Sequence, residues 1–280
     1  LLATETTLVD GTGPGLPATG PLSVELRDVT FGYGTGHPVL AAVDLMVPAG
    51  TSVGIVGRTG SGKTTIGRLV ARLWDTEQGA VLVGGLDVRT LTQADLRGRI
   101  GIVTQEVELF RATLRENLTL FGTIDAHDRD LERALDSAGL DGWLRSLPNG
   151  LDHHLDGDAE VSAGEGQLLA FARVLLADPA VVILDEASSR LDPATEARLA
   201  DATDRLLEGR TVLIIAHRLA TLDRVDSICV IDHGRVVEHG AREALAAQTT
   251  SRYHALVAAG LTAETGGRLP VTQTSPLARR

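Results

Sequence analysis

A chain of 280 residues with 43% apolar content has room for one large folded unit or two small ones. Its net charge of −11 and 3% aromatic content exclude the basic, ring-rich surface that a nucleic-acid partner requires. No apolar run reaches the roughly 18 residues of a bilayer span, and no secretory leader pattern opens the chain.

Residues 1–21 are rich in Gly, Thr and Pro ("DGTGPGLPATGP") and read as a linker. "LSVELRDVTFGY" (22–33) alternates like a half-buried strand. "TSVGIVG" (51–57) is a short β-rich run that meets a glycine loop. "KTTIGRLVARLW" (63–74) follows, with helical spacing at Ile66, Leu69, Val70 and Leu73. "TQADLRGRI" (92–100) predicts a short capped helix leading into a strand. From about 106 to 160 the chain turns helical and polar, in "TLRENLTL" and "RDLERALDSAGLDGWLRSL". A helix is expected in "GQLLAFARVLLA" (166–177) and a strand in "AVVILD" (180–185). "RLDPATEARL" writes a helix start at Pro193, with Asp192 or Ser189 before it. "TVLIIAH" and "DSICVIDHG" read as strands, and residues 264–280 as a loose tail. The runs 53–56, 181–185 and 212–216 are nearly all apolar, as strands are when helices cover both sheet faces. These features predict an α/β core with a helical insertion. Cys229, the single cysteine, lies in an apolar strand pattern and reads as a small buried hydrophobe. With no disulfide framework, a cytosolic face is expected.

Of the 26 Lys+Arg residues, Lys63 alone is lysine. Arginine is a broad planar fork and lysine a compact point charge, so a tight site distinguishes them. A lysine kept by chance would have had 26 places to land. Lys63 lies in "GRTGSGKT" (Gly57, Arg58, Thr59, Gly60, Ser61, Gly62, Lys63, Thr64), which fits G-x-x-x-x-G-K-[ST] between a strand and a helix. The glycines let backbone N–H groups curl towards phosphates, and the helix N-terminus adds its dipole. Lys63 is expected on the phosphates and the Thr64 hydroxyl on Mg²⁺. "VVILDEAS" ends a buried strand in two carboxylates: Asp185 for Mg²⁺, and Glu186 to orient or deprotonate an attacking water. A lone histidine such as His217 in "IIAHR" is more often structural. Its expected place at the same sheet edge as Glu186 favours contact with the γ-phosphate or that water.

With these motifs, residues 22–258 resemble the nucleotide-binding domain of ATP-binding cassette (ABC) transporters, of the exporter type in particular. The resemblance implies a P-loop NTPase (RecA-like) core with an N-terminal antiparallel β-subdomain and an inserted α-helical subdomain. The expected division is a linker at 1–21, an ABC ATPase domain at 22–260 with its helical subdomain at about 106–176, and a flexible tail at 261–280. Since the chain opens on Leu1, the linker is expected to continue upstream into membrane helices. Tyr33 in "FGYG" matches the family's adenine-stacking aromatic. Gln105 in "IVTQEVELF" matches the glutamine that joins core to helical subdomain and senses Mg²⁺. "LFRATLRENL" (109–118) resembles the segment that faces the membrane domain, and Asp192 the loop that speaks across a dimer. Glu186 and His217 match the catalytic glutamate and switch histidine, and Thr65 closes the ATP-binding set.

"VSAGE" (Val161, Ser162, Ala163, Gly164, Glu165) then stands where the family writes LSGGQ, the signature that caps the γ-phosphate on the partner's P-loop. It departs at Val161, Ala163 and Glu165. Ser162-x-x-Glu165 before an apolar run is also a capping box, in which a glutamate serves as well as a glutamine; this reading is preferred to a deliberately weakened site. "LDHHLDGDAE" (151–160) is shorter and poorer in glycine than expected of exporters. Its adjacent histidines point apart on any regular element, which disfavours a metal there.

The resemblance implies an ATP-hydrolysing motor on the cytoplasmic face of a membrane, partnered by a transmembrane domain of the same or another chain. A second nucleotide-binding domain would complete a homo- or heterodimer. The alternative is a catalytically weakened half of a heterodimeric transporter. A soluble ABC ATPase for DNA repair or translation is disfavoured by the acidic charge.

Overall fold

The structure is a computed structural model that describes residues 8–34, 36–104, 107–156, 161–185, 193–216 and 219–259. Two sheets organise it. The smaller contains β1 (Val24–Phe31), β2 (Leu40–Val47), β4 (Gln78–Val83) and β5 (Leu86–Asp87), in the order β2-β1-β4-β5, antiparallel throughout. The larger has six strands in the order β10-β9-β3-β8-β7-β6. Its members are β3 (Ser52–Val56), β6 (Ile100–Val103), β7 (Val181–Asp185), β8 (Thr211–Ile215), β9 (Ser227–Asp232) and β10 (Arg235–Ala241). All pairings in it are parallel except β9 with β10.

The apolar runs of the parallel strands feed two cores, one on each sheet face. Val181, Ile183, Leu213 and Ile215 belong to one cluster, while Val182, Leu184, Val212 and Ile214 belong to the other. That alternation, with both sets buried, is why these strands read as unbroken apolar sequence. The antiparallel sheet and α1 (Lys63–Val70) cover the first face. The other is covered by α6 (Ala163–Ala177), α7 (Pro193–Leu207) and the helices between β6 and β7. Those are α3 (Leu114–Thr119), α4 (Asp128–Ser137) and α5 (Asp141–Ser146). The short helices α2 (Gln93–Arg97), α8 (Arg242–Ala247) and α9 (Arg252–Ala258) complete the described set. As expected, α7 starts at Pro193 and Thr92 caps α2 by accepting from the Asp95 N–H at 3.1 Å.

One boundary differs from expectation. Periodicity carried α1 to Leu73, but the helix stops at Val70 and Leu73 is half exposed. The Arg72 N–H reaches the Leu69 carbonyl and the Leu73 N–H reaches that of Arg68, with Arg72 at φ +48°. This is a Schellman ending with arginine where glycine is usual. Arg72 is 4% exposed, and its guanidinium supports the conformation through three groups. It donates to Asp75 Oδ1 at 3.0 Å, to the Leu91 carbonyl at 3.0 Å and to the Val9 carbonyl at 2.7 Å.

Val9 belongs to the glycine- and proline-rich segment read as a linker. From residue 8 to 21 it has no regular secondary structure, yet it lies against the folded body. The Gly11 and Gly13 N–H groups bond to the carbonyls of Leu91 and Thr90. Asp10 accepts the Gln93 N–H, and Arg99 donates to the Gly20 carbonyl.

Candidate functional site

The loop of residues 57–62 joins the C-terminal end of β3 to α1, on the sheet edge where open α/β folds place ligands. At Gly57 a Cβ would sit 2.1 Å from the Ile231 carbonyl oxygen, so the backbone passes where no side chain fits. Gly62 precedes α1 at φ +106°, with no side chain capping the helix. The first N–H groups of a helix have no intrahelical partner, and no acidic residue occupies the first turn of α1 to take them up. Ser61, 4% exposed, has an Oγ buried without a hydrogen-bond partner. A glycine-built turn, uncapped N–H groups and an orphaned hydroxyl at one helix end form a cradle that fits an anion with several acceptor oxygens.

Lys63 lies inside this cradle, 5% exposed. Its ammonium donates to the Gly57 carbonyl at 2.8 Å and the Arg58 carbonyl at 3.0 Å, arching back over the loop. Burial pushes its pKa below the ordinary lysine value, and the Asp185 carboxylate acts against that shift. Lys63 is therefore within reach of the Asp185 charge. Asp185 ends β7 and pairs in register with Ile215 of β8. Thr64 is half-buried in the first turn of α1. Gln105, Glu186, Asp192 and His217 lie outside the described residues.

Tyr33 follows β1 and lies beside α1. Its hydroxyl is 3.2 Å from Thr65 Oγ1 and accepts from Arg68 Nη1 at 3.2 Å. Its ring meets Phe31 edge-on, centroids 4.9 Å apart, and Trp74 edge-on at 5.4 Å. Trp74 and Arg68 were not among the expected site residues. The available signal was scarcity: the chain has only four Phe, two Trp and two Tyr, and three of these rings gather here.

At the start of α6 the expected capping box is present. The Ser162 N–H donates to Glu165 Oε2 at 2.9 Å, the Ser162 hydroxyl donates to the same oxygen at 2.7 Å, and the Glu165 N–H returns to Ser162 Oγ at 3.3 Å. Val161 is buried, whereas Ser162 and Ala163 are exposed and present the helix end to solvent. Gly164 passes so close to α7 that a Cβ would lie 2.3 Å from Thr195 Cγ2.

The 109–118 segment is built by its own polar residues. Thr113 and Glu116 close a second capping box at α3. Asn117, 1% exposed, brackets Phe110 by accepting its N–H at 2.9 Å and donating to its carbonyl at 2.9 Å. Arg173 of α6 donates to the Asn117 carbonyl and side chain and to the Glu108 carbonyl. These bonds leave Phe110 and Phe121 exposed as an edge-to-face pair 5.2 Å apart, with Leu120 exposed alongside. In the 151–156 stretch the histidines serve the backbone. The His153 carbonyl accepts the Leu114 N–H, and His154 bridges to Thr113.

Comparison with known proteins gives the family. The family model described as ABC transporter matches residues 40–189. An uncharacterized ABC transporter ATP-binding protein, YfiC of Bacillus subtilis, is 44% identical over 227 residues, 81% of this chain and 37% of YfiC. The ATP-dependent lipid A-core flippase of Desulfotalea psychrophila is 40% identical over 224 residues, 80% of this chain and 39% of the flippase. A bacterial Atm1-family ABC exporter with ATP bound superposes with a TM-score of 0.83 at 34% identity, covering 91% of this chain and 45% of the exporter chain. The chain thus spans 37–45% of the length of these relatives.

Proposed function

This chain belongs to the ABC transporter family as an ATP-binding domain of exporter type, and from that premise we propose that it is the ATP-hydrolysing motor of a membrane transporter. ATP closes it head to tail on a second nucleotide-binding domain, hydrolysis reopens the pair, and an attached transmembrane domain converts the motion into transport. The motor works at the cytoplasmic face of that membrane. Among the described residues no helix is long and apolar enough to cross a membrane.

The observation that carries this reading is the buried ammonium of Lys63, held over a glycine-built helix start beside the unpartnered Ser61 hydroxyl. Phosphate oxygens would take donors from Lys63, from Ser61 and from the first N–H groups of α1. Thr64, Asp185 and Gln105 are the residues that would hold Mg²⁺, which supplies charge neutralisation of the triphosphate. Tyr33 would stack on the adenine. Glu186 would orient the attacking water or take its proton, and His217 would hold the γ-phosphate or that water. Ser162, Ala163 and Gly164 would present a hydroxyl and helix-end N–H groups to the nucleotide bound by the partner domain, with Asp192 speaking across the interface. The exposed Phe110–Phe121 pair and Leu120 supply an apolar face for the transmembrane domain.

The weakened-half alternative rests on the negative charge of Glu165 in the signature and on the unusual 152–160 segment, and the retained Glu186 and His217 speak against it. Glu165 accepts the Ser162 N–H and hydroxyl through one oxygen, a role the amide oxygen of a glutamine also fills, and its charge lies on the positive helix end, which supports the cap over a weakened site. Light scattering after size-exclusion chromatography tests the proposal with Glu186→Gln, beside the steady-state ATPase of the unaltered chain. An ATP-dependent dimer of the variant and turnover by the parent are expected. ATP binding with neither dimer nor phosphate release, even with a transmembrane partner supplied, overturns it.

A further inference from the structure

The loop that bears Tyr33 does little to fix the ring. Glycines stand at 32, 34 and 36, and Gly34 and Gly36 both have φ near +77°. The backbone of Gly32 is tied to Glu77 Oε1 at 3.2 Å, but the ring's orientation is set by side chains. Thr65 and Arg68 hold the hydroxyl, and Phe31 and Trp74 flank the ring, each at a T-shaped angle of about 85°. Phe31 and Trp74 also approach one another at 6.2 Å.

Three of these four contacts come from one short stretch. Lys63 and Thr64 open α1 at the phosphate cradle, Thr65 and Arg68 lie within its first two turns, and Trp74 follows its end. Resting on the reading of Tyr33 as the base platform, we infer that Arg68 and Trp74 are positioning residues for nucleotide-base selection. They clamp Tyr33 to the helix that carries the phosphate loop, so platform and cradle keep a fixed separation. The side chain is preorganised before nucleotide arrives, and the ordering cost of a free ring is not charged against binding. Because the ring that the clamp holds acts by stacking on the base, the clamp favours a large purine face over a small pyrimidine one, and it leaves the triphosphate contacts untouched.

Binding of ATP and CTP to the full chain, by titration calorimetry, tests the inference with Arg68→Gln, Trp74→Ala, Trp74→Phe and Tyr33→Ala. A base stacked on an aromatic side chain is worth on the order of tenfold or more in affinity. Arg68→Gln and Trp74→Ala are each expected to weaken ATP by about three- to tenfold and CTP by less than about twofold. Trp74→Phe restores most of the ATP affinity, and kcat at saturating ATP stays at the parent value while KM rises. In a Trp143→Phe background Trp74 is the only indole, and its emission changes on adding ATP. Equal losses for ATP and CTP, or no loss in either variant, overturn the clamp. If Tyr33→Ala erases the ATP preference and the clamp variants do not, the clamp is wrong and the platform stands. If Tyr33→Ala changes nothing, the reading of Tyr33 itself fails and the clamp with it.

Discussion

Glu165 and Ser162 close on each other at the start of α6, one carboxylate oxygen accepting both the N–H and the hydroxyl of the serine. The acid therefore points back along the chain, and its charge sits on the positive end of the helix. Glu165→Gln keeps the same bonds, so ATPase activity is expected within about twofold of the parent, with the melting temperature little changed. Glu165→Ala and Ser162→Ala each remove the box and should cost about 0.5–2 kcal/mol in urea unfolding. A many-fold gain in turnover for Glu165→Gln would mean that the charge, not the cap, governs this position.

Lys63 is the one position at which this arginine-rich chain keeps a lysine, and the geometry gives the reason. The ammonium is folded back inside a loop that leaves it 5% exposed, bonded to two carbonyls about 3 Å away. A planar guanidinium does not fit that curl. Lys63→Arg is expected to lower ATP turnover on the order of 100-fold with an unchanged circular dichroism spectrum. Near-parental activity would show that charge alone suffices there.

Gly164 lies against Thr195 of α7 with no space for a methyl group. Gly164→Ala should destabilise the domain by about 1–3 kcal/mol through overpacking. Adding Thr195→Ser, which removes the offending methyl, should recover most of the loss. A single variant as stable as the parent in thermal melts would refute the close approach.

Cys229 is buried in β9, and burial pushes its thiol pKa up from 9.0 to about 12. In the folded protein the thiol stays protonated while the unfolded chain ionises, so above pH 9 the unfolded state gains relative to the native one. Stability is expected to fall between pH 9 and about 12, by less in Cys229→Ala than in the parent, measured by urea midpoints. Below pH 9 the two should run parallel. The same burial predicts that a thiol reagent labels Cys229 only on unfolding.

The sheet, the phosphate loop and the caps were legible because each is a local matter. A strand covered on both faces is apolar at every position, as residues 181–184 and 212–215 are. A loop that turns under a phosphate needs glycines at fixed offsets, and Ser three residues ahead of Glu before an apolar run marks a capped helix start, as at 162–165; the same spacing at 113–116 was there to be read and was not. The end of α1 was not legible. Leu73 keeps the helical period, but Arg72 adopts a left-handed backbone supported by Asp75, Leu91 and Val9, two of them distant in sequence. The docking of residues 8–21 was hidden for the same reason, since the composition of a linker is also that of a segment paired through its backbone. Trp74 escaped because its value lies in the 41-residue gap to Tyr33, which no periodicity spans.

The Arg72 contacts fasten the C-terminal end of α1 to the segment that enters at Val9. Eight residues of helix, roughly 12 Å, run from Lys63 in the cradle to the turn where Arg72 holds the Val9 carbonyl. The chain entering at Val9 and the loop that forms the cradle are thus joined through one arginine and one short helix, neighbours in structure although some fifty residues apart in sequence.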